Sequence, residues 1–460
     1  MKNDLIEKSI AEETVLFISI VKWVVLGSIV GALVGCSTAL FLGLLDRAAE
    51  SASRIKYYYA ALPAALLASV ALVNRFAPDA KGHGTEKVIE AFHRGRGKIK
   101  TEVVPVKLAA TVLTIAAGGS AGKEGPCAQI GAGLAALVAR LLRFDDTDRK
   151  KLVICGISSG FASVFGAPFS GAVFGVEVLF VGGMLYEALL PSFISGVVAY
   201  QAASSLGVEY FHHPIKLVPV FTGFFFAKVV VAGIFFGLVS LFFIETMKAF
   251  ERISRSIKWR EEWKALAGGA ILAISAVALT DRHLGLGIDT IQAALEGQHT
   301  PWHAFAVKAV ATSATLNIGG SGGVVTPIFY IGSTAGSLFG NMMNLDAATF
   351  AAIGFVAVLA GAANTPIAAG IMAVEMFGPK LAPYATVACV VSFLMTGHRS
   401  VYPSQILGAK KSSSLSVDVG ADMEHLEAKY APRKQSLTAR VGRFFGGIKE
   451  SAESFRSRRK

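Results

Sequence analysis

Apolar stretches recur from Val15 to about Leu407, separated by short polar segments, and few of them run uninterrupted. Val15–Leu45 is one continuous run, long enough for a tilted span, since a simple transmembrane helix needs ~20 apolar residues. After the polar patch DRAAESASRIK, a second span is expected over Tyr57–Val73. Residues 79–102 are polar and basic; they contain GHG at 82–84 and then TEKVIEAF, which reads as a helix. Val103–Ala116 is apolar, GGSAGKEGP follows at 118–126, and an apolar, glycine-dotted helix is expected from there to about Leu142. Leu152–Phe180 carries GAP at 166–168 and one carboxylate, Glu177. Further spans are expected across Leu189–Leu206, Val218–Ile244 and Leu266–Leu279. Many of these runs are cut by glycine or proline into pieces shorter than a simple span. Broken helices at membrane depth are tolerated only where backbone lines a cavity or is buried in protein. The pattern therefore points to a transporter or channel rather than a membrane anchor.

The second half repeats the first. GGSGGVVTP at 319–327 aligns with GGSAGKEGP at 118–126, an offset of 201, and Gly332 then matches Gly131. Pro168 stands nine residues before Glu177, and Pro366 nine before Glu375, an offset of 198. Two matches in the same order at nearly one offset argue for an internal duplication, with halves over about 57–206 and 217–395. Such halves meet near the bilayer midplane and aim broken helix ends at a shared ion site. Parallel and inverted repeats both fit the pattern.

Composition strengthens this reading: 53% of the 460 residues are hydrophobic and 17% charged, where a soluble domain carries about 25% charged. The expected fold class is an all-α polytopic membrane protein. Residues 1–14 have mixed charge and no small-residue cleavage site; they read as a cytoplasmic amphipathic helix rather than a signal peptide. The net charge of +12 is uneven, since residues 410–460 hold twelve Lys or Arg against six Asp or Glu. Residues 248–264, KAFERISRSIKWREEWK, are also strongly basic. Basic segments beside spans favour the cytoplasm and its anionic leaflet. The tail is thus expected to be flexible and cytoplasmic, with no nucleic-acid role, and both termini to lie on the cytoplasmic side of the cell (inner) membrane. Cys36, Cys127, Cys155 and Cys389 sit in apolar segments without CxxC spacing, so small buried thiols are expected and no metal or cofactor. No HExxH, GxSxG or membrane-depth aspartate dyad supports an enzyme, and membrane-depth acids are too few for a cation transporter.

The chemistry concentrates at GGSAGKEGP. Glycines ahead of a helix start expose N–H groups at the positive end of the helix dipole, which suits an anion. Glu124 at that place would compete with the anion. A simple helix cap is the plainer role, but an acid between glycines at membrane depth calls for a functional one. A phosphate-binding P-loop is ruled out by spacing and by the missing Ser or Thr after Lys123. Glu177 and Glu375 read as structural hydrogen-bond or helix-end partners. Tyr402 opens the last apolar segment, where an interfacial aromatic is common.

Four helix starts marked by glycine or proline stand out: GHGTE at 82–86, GKEGP at 122–126, GGVVTP at 322–327 and SVYPSQ at 400–405. In these motifs and their order the chain resembles the CLC family of chloride channels and chloride/proton exchangers, over nearly all of Met1–Ala409. GKEGP is similar to the family's GREGP, whose glutamate is the gate, and GGVVTP to GxFxP. The resemblance implies a homodimer in the lipid bilayer with one anion path per subunit, built on two inverted repeats. It implies Glu124 as the gate, and His83, Gly84, Lys123, Gly125, Val324, Val325 and Tyr402 around chloride or a similar small anion. Loss of solvation would disfavour the ionised Glu124, while helix dipoles and Lys123 would favour it. His83 stands where the family has a serine, and histidine can change charge near neutral pH. Val325 replaces a phenylalanine, and the Thr326 hydroxyl next to it can partly compensate. At the position of the family's inner proton-relaying glutamate stands Val178, which favours a passive channel; proton exchange, or selectivity for fluoride or nitrate, are the alternatives. Some fifty residues after Ala409 are too few for the paired nucleotide-binding modules of larger relatives.

Overall fold

The computed structural model describes residues 2–210, 212–215, 222–278 and 280–431, without side chains for 2–11. Its first half holds α1 Lys2–Ser53, α2 Leu62–Phe76, α3 Gly84–His93, α4 Val103–Ala116, α5 Glu124–Leu141, α6 Asp146–Phe165, α7 Pro168–Glu177 and α8 Leu189–Ser205. The second holds α9 Gly223–Ser256, α10 Glu261–Ala278, α11 Ile288–Leu295, α12 Ala304–Asn317, α13 Val325–Met342, α14 Ala347–Ala363, α15 Pro366–Phe377 and α16 Ala382–Met395. The fold is all-α and polytopic. Many helices are too short to span a bilayer: α3, with 10 residues, extends only ~15 Å at 1.5 Å per residue.

The two halves pack alike. α1 lies against α4, α5, α6 and α8, and α9 lies against α12, α13, α14 and α16. The repeat therefore takes in α1 and reaches further toward the N-terminus than residue 57. Asp145 caps α6 by accepting from Asp148 N at 2.9 Å, and Asp346 caps α14 by accepting from Thr349 N at 2.8 Å. A side chain at Gly131 would meet Gly156 O at 2.3 Å, and one at Gly332 would meet Gly354 O at 2.3 Å. Small residues thus let α5 meet α6, and α13 meet α14, backbone to backbone, the usual means of close helix packing in a membrane.

Reciprocal contacts join the halves. Ser120 N donates to Thr315 Oγ1 at 3.2 Å, and Ser321 N donates to Thr114 Oγ1 at 3.1 Å. Buried Lys107 donates to Ala80 O at 3.1 Å and Gly82 O at 2.5 Å, holding the loop ahead of α3. Buried Lys308 donates to His283 O at 3.1 Å and Gly285 O at 2.7 Å, holding the loop ahead of α11. Gln129 reaches into the first of these loops, donating to Asp79 O at 2.9 Å; its counterpart Tyr330 reaches into the second, 2.7 Å from His283 Nδ1.

Three expectations change. Residues 2–14 are not a separate surface helix, because the backbone runs without a break from Lys2 to Ser53. Cys36 is exposed, whereas Cys127, Cys155 and Cys389 are buried. The tail does not leave the body at residue 410. Lys411 Nζ donates to Asn364 Oδ1 at 2.6 Å and Phe393 O at 2.7 Å, and Asp422 pairs with Arg94 on α3 at 2.7 Å. Residues 432–460 of the expected tail lie outside the described residues.

Candidate anion site

The starts of α5 and α13 face each other across a reciprocal backbone bridge. Gly122 N donates to Gly323 O at 2.8 Å, and Gly323 N donates to Gly122 O at 2.7 Å. A Cβ on Gly323 would come within 2.6 Å of Gly125 N, so both strands of the bridge depend on glycine. Two helix N-termini thereby converge on one buried place, each with backbone N–H groups that lack intrahelical partners.

Glu124 is the first residue of α5 and is buried. Its carboxylate reaches beyond its own helix. It crosses to α13, where Oε2 accepts from Thr326 N at 3.0 Å and Oε1 accepts from the Thr326 hydroxyl. The plain capping role is therefore filled for the other repeat's helix. A Cβ on Gly122 would lie 2.4 Å from Glu124 Oε2, so a glycine there makes room for the carboxylate. Lys123 precedes it as the N-cap residue of α5 and acts on the carboxylate electrostatically. Val324 and Val325 are buried at the start of α13. Thr326 was legible only as a compensating hydroxyl; the structure makes it the partner of Glu124.

His83 and Gly84 form the start of α3. His83 bridges to Gly322, and a Cβ on Gly84 would lie 2.2 Å from Gly125 O, so α3 closes on the same bridge. Tyr402 is fully buried, with its ring centroid 5.9 Å from that of His83. Ser400 Oγ accepts from Tyr402 N at 2.9 Å and fixes the loop. Among the described residues His83 Nδ1 has no hydrogen-bond partner. The imidazole and the Tyr402 phenol thus lie side by side as enclosed groups that can donate. The structure brings together His83, Gly84, Lys123, Glu124, Gly125, Val324, Val325 and Tyr402 at three helix starts and one loop.

Val178 stands apart. Its side chain is buried in the apolar core, and its carbonyl accepts from Gln405 Nε2 at 2.7 Å. Beyond His83 a vestibule of about 650 Å³ opens, walled by α3, α9, α10 and the tail. On its rim, the Lys81 ammonium holds the Glu261 carboxyl below its ordinary range. Glu86, in the sequence merely part of GHGTE, lines this vestibule. Glu177 and Glu375 lie outside the path as helix-end partners. Glu177 accepts from Ile367 N at 3.1 Å and Ala368 N at 2.8 Å, and Glu375 from Phe169 N at 2.9 Å and Ser170 N at 2.7 Å.

A family model described as voltage gated chloride channel matches residues 64–397. The chain belongs to the CLC family. A chloride/fluoride channel protein of Pseudomonas syringae pv. tomato is 38% identical over 85% of this chain and 88% of its own length. The voltage-gated ClC-type chloride channel ClcB of Escherichia coli is 29% identical over 65% of this chain and 74% of its own. Among solved structures, a CLC-type fluoride/proton antiporter superposes with a TM-score of 0.81 at 27% identity, covering 85% of this chain and 99% of that one. A slow cyanobacterial Cl⁻/H⁺ antiporter gives a TM-score of 0.72 at 20% identity over 81% and 94%. The CLC protein is thus a multi-pass membrane protein of anion transport, with the CLC-type fold of inverted repeats.

Proposed function

We propose that the protein carries a small halide, fluoride or chloride, past Glu124 to the vestibule, with the Glu124 carboxylate as the gate. One observation carries this: Glu124 sits on the Thr326 N–H and hydroxyl, donors that would otherwise face an anion. A carboxylate and a halide compete for the same donors, so a rise in anion concentration or protonation of Glu124 clears the site. His83, Gly84, Lys123, Gly125, Val324, Val325 and Tyr402 would line the rest of the path. The basic stretch 248–264 and the packed tail surround the vestibule, which supports a cytoplasmic vestibule, cytoplasmic termini and an inner-membrane location. Exposed apolar residues on α7, α8, α15 and α16, such as Phe169, Leu190, Ile367 and Val390, suit a homodimer with one path per subunit.

The apolar Val178 supports passive conduction. Proton exchange is the second reading, and the unpaired Glu86 carboxylate oxygen in the vestibule wall favours it. Reversal potentials in bilayers with a pH gradient separate the two: a value set by the anion alone means a channel, and a shift with pH means exchange. For the gate, acidification should raise wild-type halide flux, and Glu124→Gln should remove that dependence. An unchanged pH dependence in Glu124→Gln would reject the gate.

A further inference from the structure

Among the described residues, His83 Nδ1 and Glu86 Oε2 are enclosed polar atoms of the vestibule lining without a hydrogen-bond partner. The imidazole can donate to an anion. The carboxylate does not. Glu86 lies in the first turn of α3, and its other oxygen accepts from Ser404 N at 2.9 Å. An acid in the first turn complements the helix dipole, but that role needs no burial. Asp289, in the first turn of the equivalent α11, is exposed.

Other acids on the vestibule wall have cations beside them. Glu90 pairs with Lys87 at 2.8 Å, Glu251 with Arg255 at 2.6 Å, and Glu261 with Lys81. Glu424 of the tail is exposed to solvent. Glu86 makes no salt bridge among the described residues, although Lys248, Arg252 and Lys264 of α9 and α10 and Arg94 of its own helix end face the same vestibule. An enclosed, unpaired carboxylate is costly while ionised, and beside an anion's route it also repels the anion. Protonation removes both penalties.

The geometry points to Glu86 as the vestibule-side proton site of transport, the place the family's motif would have put at position 178. Glu86 takes a proton from cytoplasmic water and passes it toward Glu124. The proton that Glu86 loses is the one Glu124 gains; the neutral Glu124 carboxyl leaves Thr326, and an anion moves the opposite way. This rests on the exchange reading above, whereas the anion path past Glu124 stands without it.

The test uses the purified full chain in liposomes loaded with fluoride or chloride, with proton uptake and anion release recorded together. Wild type should take up protons as anion leaves. Glu86→Gln should lower the number of protons moved per anion by about tenfold or more, the scale of a lost proton-transfer group. Glu86→Asp, which keeps a carboxyl, should restore it. A wild-type ratio in Glu86→Gln overturns the proposal, and so does a wild type that releases anion without proton uptake; either result leaves the anion path intact. A wild type that releases no halide under any gradient overturns the anion path itself.

Discussion

Glu177 and Glu375 cap each other's repeat. The carboxylate that ends α7 receives the first N–H groups of α15, and the carboxylate near the end of α15 receives those of α7. Each acid closes a helix start opened by proline, Pro366 or Pro168.

Removing either carboxylate leaves two backbone donors unpaired at a helix start. Glu177, buried at 5% exposure, should matter more than the half-buried Glu375. Glu177→Ala should cost about 2 kcal/mol, the scale of unsatisfied buried donors, and Glu375→Ala less. Thermal unfolding in detergent reads both; equal melting temperatures for wild type and Glu177→Ala would contradict the capping role.

Thr326→Val keeps the backbone donor to Glu124 and deletes the hydroxyl. The hydroxyl serves the carboxylate and, once the gate is displaced, the halide, so its worth to the halide is read with the gate removed. In a Glu124→Ala background Thr326→Val should raise the half-saturating halide concentration about tenfold, since a hydrogen bond to a charged group contributes roughly 1.5–3 kcal/mol. Half-saturation of halide flux is the measurement, and an unchanged value in that background would mean that the hydroxyl does not face the anion.

Gly122→Ala puts a methyl group 2.4 Å from Glu124 Oε2. The carboxylate must leave Thr326 while Gly122 N and O keep their bridge to Gly323. Flux should lose its dependence on pH even though Glu124 is still present. Wild-type pH dependence in this variant would show that the carboxylate has room elsewhere.

His83→Ser replaces a ring nitrogen with a small hydroxyl at the start of α3. Competition flux should shift selectivity toward chloride if the ring lines the route. Selectivity identical to wild type would place His83 outside it.

Much of the fold could be read from the chain because duplication writes itself twice. GGSAGKEGP and GGSGGVVTP announced two facing helix starts, and Pro168 and Pro366 marked two more. Glu124 stood out because an acid between glycines at membrane depth has few structural uses. What stayed hidden depends on which surface a side chain meets. Thr326 looks like any helix-start threonine until Glu124 reaches it from 202 positions away. Glu86 reads as an ordinary acid in the first turn of a polar helix, and only its partial burial against Ser404 sets it apart from the exposed Asp289. The packing of 411–431 was invisible for a similar reason, since a polar, serine-rich stretch carries no hydrophobic period to betray that Lys411 is tethered.

The exchange of Gln129 for Tyr330 between the halves has a consequence of its own. A side chain at Gly287 would strike the Tyr330 ring at 2.6 Å, so an aromatic ring closes on the loop ahead of α11 where an amide reaches into the loop ahead of α3. A molecule built from matching halves thus acquires a front and a back, and traffic through it need not be the same in both directions.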